Sequence, residues 1–397
     1  MTFFSTKKTG LVIGGSGLIG GSLLHYFKSR AKDEITMLAP NSKKLTLRRP
    51  DDIRLYFETF KPDFIINCAI ASIDSSPQLA YEINYTGAVF LAKAALELNI
   101  PYIHISSAAT MPHGHNLAEE DQLPLQPDLS NYSKSKLMAE LTLEHLRRTR
   151  GLDYTAIRLG IVYGTHDHKI QGFQRLFFSI VNRSMPVILT KKEAMHSYSN
   201  SGKLPLFVAH SLANRREFSG ETYNFVDPDP VKLSTLILTI KSYLELNVPK
   251  EIYIPFPMAK FGMGLIAGVV RMVTRVGIEA RMPAELMFLE NFYKTQTLSA
   301  CKLQGSSFAD PEPDTTIFTK LPDLIEYYVT RWEQLNLIRS FNSECPDPRK
   351  KAEEFLRSPA ELLQSIHAET DDPFLKQCPL NERANNLSQA KDDLYGL

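Results

Sequence analysis

Cysteine is scarce in this chain: Cys68, Cys301, Cys345 and Cys378 stand far apart, and no two form a CxxC pair. That scatter argues against a disulfide framework or a zinc knuckle and fits a reducing cytosol. Net charge is nearly absent as well, at +1 from 45 basic and 44 acidic residues, so no global field draws the chain toward nucleic acid. Long apolar runs are missing too. The stretch Phe261–Val270 is too short to span a bilayer and stops at Arg271. Met1–Thr9 is too short and polar for a secretory signal ahead of the first strand. The expectation is a cytoplasmic protein. At 397 residues and 43% hydrophobic content it can bury a large core divided over two to three domains.

What the chain does have, ten residues in, is glycine at a telling spacing. Gly14-Gly15-Ser16-Gly17-Leu18-Ile19-Gly20 follows the apolar Leu11-Val12-Ile13 and opens into helix-like sequence over Ser22–Arg30. A strand, a turn without side chains and a helix N-terminus make a seat for a pyrophosphate. Backbone N–H groups can approach the phosphates, and the positive end of the helix stabilises their charge. The glycine spacing alone is weak evidence; its place directly after a first strand is stronger. The loop reads as a dinucleotide site.

The organisation beyond the loop agrees. Apolar runs at 11–13, 35–39, 64–68, 102–106 and 155–159 alternate with helix patterns near 20–30, 51–60, 77–98 and 132–150. Such alternation builds a parallel sheet with helices on both faces, an α/β fold. Residues 1–160 are expected to form the nucleotide-binding domain, with parts of 161–230 completing its sheet. Residues 161–340 would form a smaller substrate lobe, and 341–397 a polar extension in which Arg349–Ala368 is helix-like but interrupted by Pro359.

Tyr132 and Lys136 fall at i and i+4 on one helix face. A phenol near pKa ~10 is a poor proton shuttle at neutral pH, and lowering it by about three units takes roughly 4 kcal/mol. An ammonium at ~4 Å supplies about that much at an effective dielectric near 20. The pair can therefore make a general acid/base. With 16 tyrosines, however, about one Tyr-xxx-Lys arises by accident. Ser106 and Ser107 end the run Tyr102–Ile105, placing a hydroxyl at the carboxyl edge of a strand, where open sheets bind ligands. They would either hold a substrate oxygen or merely cap the strand.

Taken in order, Gly14-xx-Gly17-xx-Gly20, Asn67-Cys68-Ala69, Ser107, Tyr132-xxx-Lys136 and Arg158-Leu159-Gly160-Ile161-Val162-Tyr163-Gly164 resemble the extended short-chain dehydrogenase/reductase family, from about Thr9 to Tyr328. This is the group of NAD-dependent epimerase/dehydratases and 3β-hydroxysteroid dehydrogenases. The resemblance implies a Rossmann-type doubly wound sheet with a smaller C-terminal substrate lobe. It implies catalytic Ser107, Tyr132 and Lys136, with the tyrosine as acid/base and the lysine on the nicotinamide ribose. It implies NAD or NADP held by Gly14, Ser16, Gly17, Leu18, Ile19, Gly20, Asn41, Ser42, Cys68, Ala69, Tyr132 and Lys136, and a structural or relay role for Asn84. Two positions depart from the family: Met111-Pro112-His113 replaces a usual tyrosine, and an adenine-side aspartate is missing around Thr46–Arg49. After Leu38-Ala39 the chain offers Ser42, Lys43 and Lys44 instead of the acid that binds an NAD ribose, which leans toward NADP.

The function implied is hydride transfer at a secondary alcohol or ketone of a sugar-nucleotide or sterol-like small molecule. A nucleotide-sugar epimerase or dehydratase retaining its NAD, and a non-catalytic NAD(P)-binding scaffold or sensor, are the alternatives. Over 255–276, Lys260, Gly264, Gly268, Arg271 and Arg275 share one helical stripe, beside Phe261, Leu265, Val269, Met272 and Val276. This helix would be core, a lid over the cleft, or a peripheral membrane contact. His113-Gly114-His115 and His166-Asp167-His168 lack the carboxylate spacing that would complete a metal site. A homodimer through 77–98 and 132–150 follows from resemblance only.

Overall fold

The computed structural model describes residues 6–167, 169–182, 187–189, 194–275, 289–338 and 355–360. Six strands form one parallel sheet: β1 (Lys8–Ile13), β2 (Ile35–Leu38), β3 (Phe64–Asn67), β4 (Tyr102–Ser107), β5 (Tyr154–Leu159) and β6 (Glu221–Phe225). Their order is β6-β5-β4-β3-β1-β2, every neighbouring pair parallel. The chain steps from β1 outward to β2, then crosses to the other side at β3. Ligands of open sheets bind at the carboxyl ends of strands flanking such a reversal.

Side-chain alternation explains why both faces carry helices. Val12, Ile66, Ile103, Ile105, Ile157 and Leu159 pack into one buried cluster. Their neighbours Leu11, Ile13, Ile65, Tyr102, Tyr154 and Ala156 pack into another. Residues one apart in a strand face opposite ways, so each face of this sheet needs its own cover. Helix α1 (Leu18–Arg30) covers the first with Leu23 and Phe27. Three others cover the second: α2 (Pro50–Phe60) through Ile53 and Phe57, α3 (Gly87–Leu98) through Leu91 and Ala95, and α4 (Asn131–Arg150) through Leu143 and Leu146. Burying one such Leu or Phe side chain contributes about 1.5–3 kcal/mol.

The ends of α4 are specified locally. Ser130 caps its N-terminus by accepting from the Ser133 N–H, and Gly151, at φ 72°, ends it in the left-handed region. Arg147, Arg148 and Arg150 fill its last turn, where the helix end favours cations.

The helix expected over 77–98 is instead three pieces: Pro77–Ala80, a π-helical stretch Tyr81–Thr86, and α3. The wider turn places Asn84, 1% exposed, inside the protein. There it accepts from the Ala71 N–H at 2.8 Å and donates to Ser135 Oγ at 3.1 Å. The loop after β3 is thus tied to α4.

Three segments beyond β5 and one before it build a four-stranded sheet from Val231–Lys232, Met195–His196, Gln296–Leu298 and Gly114–Leu117, in that order. Two compact units emerge, Met1–Leu324 and Ile325–Leu397. Of the polar extension, only residues 355–360 are described, and Val276 also lies outside the described residues.

Candidate active site

The glycine loop sits at the sheet's reversal and is closed to side chains by backbone. Gly14 has φ +83°, and a Cβ there would meet the Cys68 carbonyl and the Ala69 nitrogen at 2.8 Å. A Cβ on Gly20 would meet the Gly14 carbonyl oxygen at 2.3 Å. Gly17 caps α1 without any side-chain hydrogen bond, and the first turn of α1 holds no acid. Open N–H groups at a helix start beside a side-chain-free loop fit the pyrophosphate of a dinucleotide. Gly20→Ala has only backbone to displace. It is expected to weaken nicotinamide cofactor affinity at least about tenfold and lower stability by about 1–3 kcal/mol. Fluorescence titration with NADPH and NADH, run beside a denaturant melt, reads both effects.

The loop forms one wall of a cavity of about 310 Å³. Gly14, Gly17, Leu18, Ile19, Gly20, Cys68, Ser107, Tyr132 and Lys136 all line it, so four separated stretches of sequence meet in one place. Four expected cofactor contacts are not among the lining residues. Ser16 is exposed on the outside of the turn. The Ala69 N–H donates to Asn67 Oδ1 at 3.1 Å. Asn41 turns its side-chain oxygen onto the Lys43 and Lys44 N–H groups, both at 3.1 Å, and Ser42 is exposed in the same loop.

Ser107 both lines the cavity and caps the turn Ala108–Thr110, accepting from the Ala109 N–H at 3.2 Å. The two readings of this residue are therefore not exclusive.

The electrostatics differ from the sequence expectation. Burial raises the Tyr132 phenol above its ordinary value, and a hydrogen bond with the Ser107 side chain opposes the rise. The Lys136 ammonium, expected to lower the phenol, instead donates to the Ile105 carbonyl at 2.8 Å. Burial brings Lys136 down to about 8, opposed by Cys68 and Glu140. The Cys68 thiol is pushed up to about 12, again by burial, so it stays a neutral wall of the cavity. His104, 1% exposed on β4, is held neutral by burial and by Lys136.

Several residues that matter here went unread in the sequence. Glu140, one turn beyond Lys136 on α4, pairs with Arg158 of β5 at 2.8 Å and also accepts from the Ser106 hydroxyl, Thr110 Oγ1 (3.3 Å) and Gln122 Nε2 (2.7 Å). Arg158 Nη1 donates on to the Glu119 carbonyl at 2.6 Å. The spacing Tyr132-Lys136-Glu140 was a usable signal, since i, i+4 and i+8 share a helix face. Gln296, far along the chain, donates to the carbonyls of Ala108, Met111 and Pro112 at 3.0, 3.1 and 3.0 Å. No local pattern announces it. Met111 is 2% exposed and packs with Ala108, Leu117 and Leu298, which makes it core at the position where the family carries tyrosine. His166, at φ 69°, precedes the cavity-lining Asp167, while His168 lies outside the described residues.

The sequence model of the NAD dependent epimerase/dehydratase family matches residues 10–218. GDP-L-fucose synthase of Dictyostelium discoideum is 21% identical over 62% of this chain and 83% of its own length. Sterol-4-alpha-carboxylate 3-dehydrogenase of Schizosaccharomyces pombe is 25% identical over 39% of this chain, and the match spans about half of that relative, 52%. Among solved structures, dTDP-glucose 4,6-dehydratase of Bacillus anthracis in complex with NAD superimposes with a TM-score of 0.60 at 14% identity, covering 82% of this chain and 98% of that one. That likeness speaks to the fold.

Proposed function

Because the chain belongs to the NAD dependent epimerase/dehydratase family, we propose that it is an NAD(P)-dependent oxidoreductase acting on a secondary alcohol or its ketone, in a sugar-nucleotide or sterol-like substrate. One observation carries the reading: Ser107, Tyr132 and Lys136 face the same cavity as Gly14, Gly17 and Gly20. Bound NAD(P) supplies or accepts the hydride. Tyr132 holds the proton that the substrate oxygen gains or loses, and Ser107 donates a hydrogen bond to that oxygen. Lys136, anchored on Ile105, keeps a positive charge deep in the cavity below about pH 8. The Arg158–Glu140 pair fixes α4 against β4 and β5, so the phenol and the hydroxyl keep their spacing.

The raised phenol favours its protonated form at neutral pH, which suits donation to a ketone and hence reduction. A nicotinamide fluorescence titration followed by turnover on a panel of nucleotide-sugar and sterol ketones tests the reading. Saturable cofactor binding with NAD(P)H consumed against one ketone supports it. Cofactor binding without turnover on any ketone sinks it in favour of a scaffold. Product formed with no net cofactor consumed indicates an epimerase or dehydratase.

For the cofactor, the proposal is NADP(H). Lys43 and Lys44 are exposed in the loop after β2, and their backbone is held by the Asn41 side chain. No carboxylate lies between Leu38 and Arg49 to repel a 2′-phosphate. Lys43→Glu with Lys44→Glu should weaken NADPH at least about tenfold, roughly 1.4 kcal/mol, with little change for NADH. Equal loss for both cofactors in that titration would count against it.

A further inference from the structure

Helix Phe256–Arg275 turns an apolar stripe outward. Met258, Phe261, Leu265, Val269 and Met272 are 65%, 71%, 59%, 60% and 71% exposed. They recur at intervals of three and four, so they share one face. Ala259, 6% exposed, faces the other way, into the protein. Among the described residues the glycines of this helix are uncovered: at Gly262, Gly264 and Gly268 a Cβ would find no heavy atom within 4 Å outside the helix itself.

We propose that this face binds an anionic lipid bilayer, with the helix lying in the interface. Three observations select that occupant. The helix carries Lys260, Arg271 and Arg275 and no Asp or Glu, and these cations fall on the stripe bordering the apolar one. At 20 residues it is ~30 Å long, yet no described helix is long and apolar enough to cross a membrane, so it lies along the surface. An apolar stripe edged by cations is the pattern that seats side chains among acyl chains and ammonium or guanidinium groups at the phosphates. Near its start, Lys260 and Lys294 both lie over the Phe256 ring, at 6.0 and 5.5 Å, adding positive charge there; Glu290 is engaged by Lys294 at 3.4 Å. A second copy packed on the same stripe would find no carboxylate on this helix to meet those cations. The inference rests on the helix and is independent of the redox reading.

Flotation of the full chain with phosphatidylcholine vesicles, with and without about 30% phosphatidylglycerol, tests it. The chain is expected to float with the anionic vesicles, at least about tenfold more than with neutral ones, and to be released by high salt. Leu265→Glu with Val269→Glu should abolish flotation. Lys260→Glu should weaken it and flatten its dependence on the anionic lipid. Both variants alter exposed side chains, so thermal melts and cofactor titration should match the parent. Failure of the parent chain to float overturns the proposal. So does flotation unchanged in the double variant, or a concentration-dependent dimer that the double variant breaks while no vesicle binding is seen.

Discussion

Tyr132→Phe is expected to lower turnover by about 10²–10⁴-fold while leaving cofactor affinity nearly unchanged. The hydroxyl is the only part removed, and the ring keeps its packing on the cavity wall. The comparison of kcat with the dissociation constant of NADPH therefore separates proton transfer from binding. The pH profile adds a second check. With the phenol raised by burial, kcat/KM for reduction should show no loss up to neutral pH, then decline through about 8 as Lys136 gives up its charge. Oxidation of the alcohol should instead gain as pH rises, since it needs the phenol deprotonated. Turnover within about threefold of the parent would remove Tyr132 from the chemistry.

Glu140→Ala should cost about 3–5 kcal/mol of stability. Arg158 and Glu140 are 1% and 4% exposed, and removing the carboxylate leaves a guanidinium buried without its partner. Ser106, Thr110 and Gln122 lose an acceptor at the same time. Urea melts give the magnitude. Replacing both partners, Glu140→Met with Arg158→Met, should recover much of it, because two apolar side chains leave no orphaned charge. Losing Glu140 also removes a negative charge that holds Lys136 up, so its titration should move below about 8. The linkage has a definite sign. Between about 8 and its usual 10.5, Lys136 is neutral in the native state and charged in the unfolded one. Stability from this group therefore rises with pH across that window and is lowest beneath it. A fall in stability between pH about 8 and 10.5 that Lys136→Met removes would contradict the assignment.

The sheet was legible because its grammar is local. Runs such as Phe64-Ile65-Ile66 are apolar at every position, as strands covered on both faces must be, and the glycine loop has one steric reading once a strand precedes it. The cluster of Gly14, Gly17, Ser107, Tyr132 and Lys136 in one cavity was legible for the same reason, since each stands at the end of a strand or the start of a helix. What could not be read is what depends on depth. Coulomb attraction between Lys136 and Tyr132 was a fair expectation from i, i+4 spacing, but burial outweighs it and the Ile105 carbonyl claims the ammonium. Asn41 and Ser42 were named by resemblance, and the structure adds that Asn41 holds its own turn while Ser42 is exposed beside Lys43 and Lys44. Gln296 reaches the serine loop from more than 180 residues away, and nothing near it in sequence says so.

That glutamine has a further effect on how the serine-bearing turn can move. Its amide has two hydrogens, and three oxygens of Ala108, Met111 and Pro112 stand within 3.1 Å. Two donors shared among three acceptors can be redistributed without any bond being fully lost. The segment can accordingly shuffle by a fraction of an ångström while still tethered, a compliant mooring in place of a rigid weld.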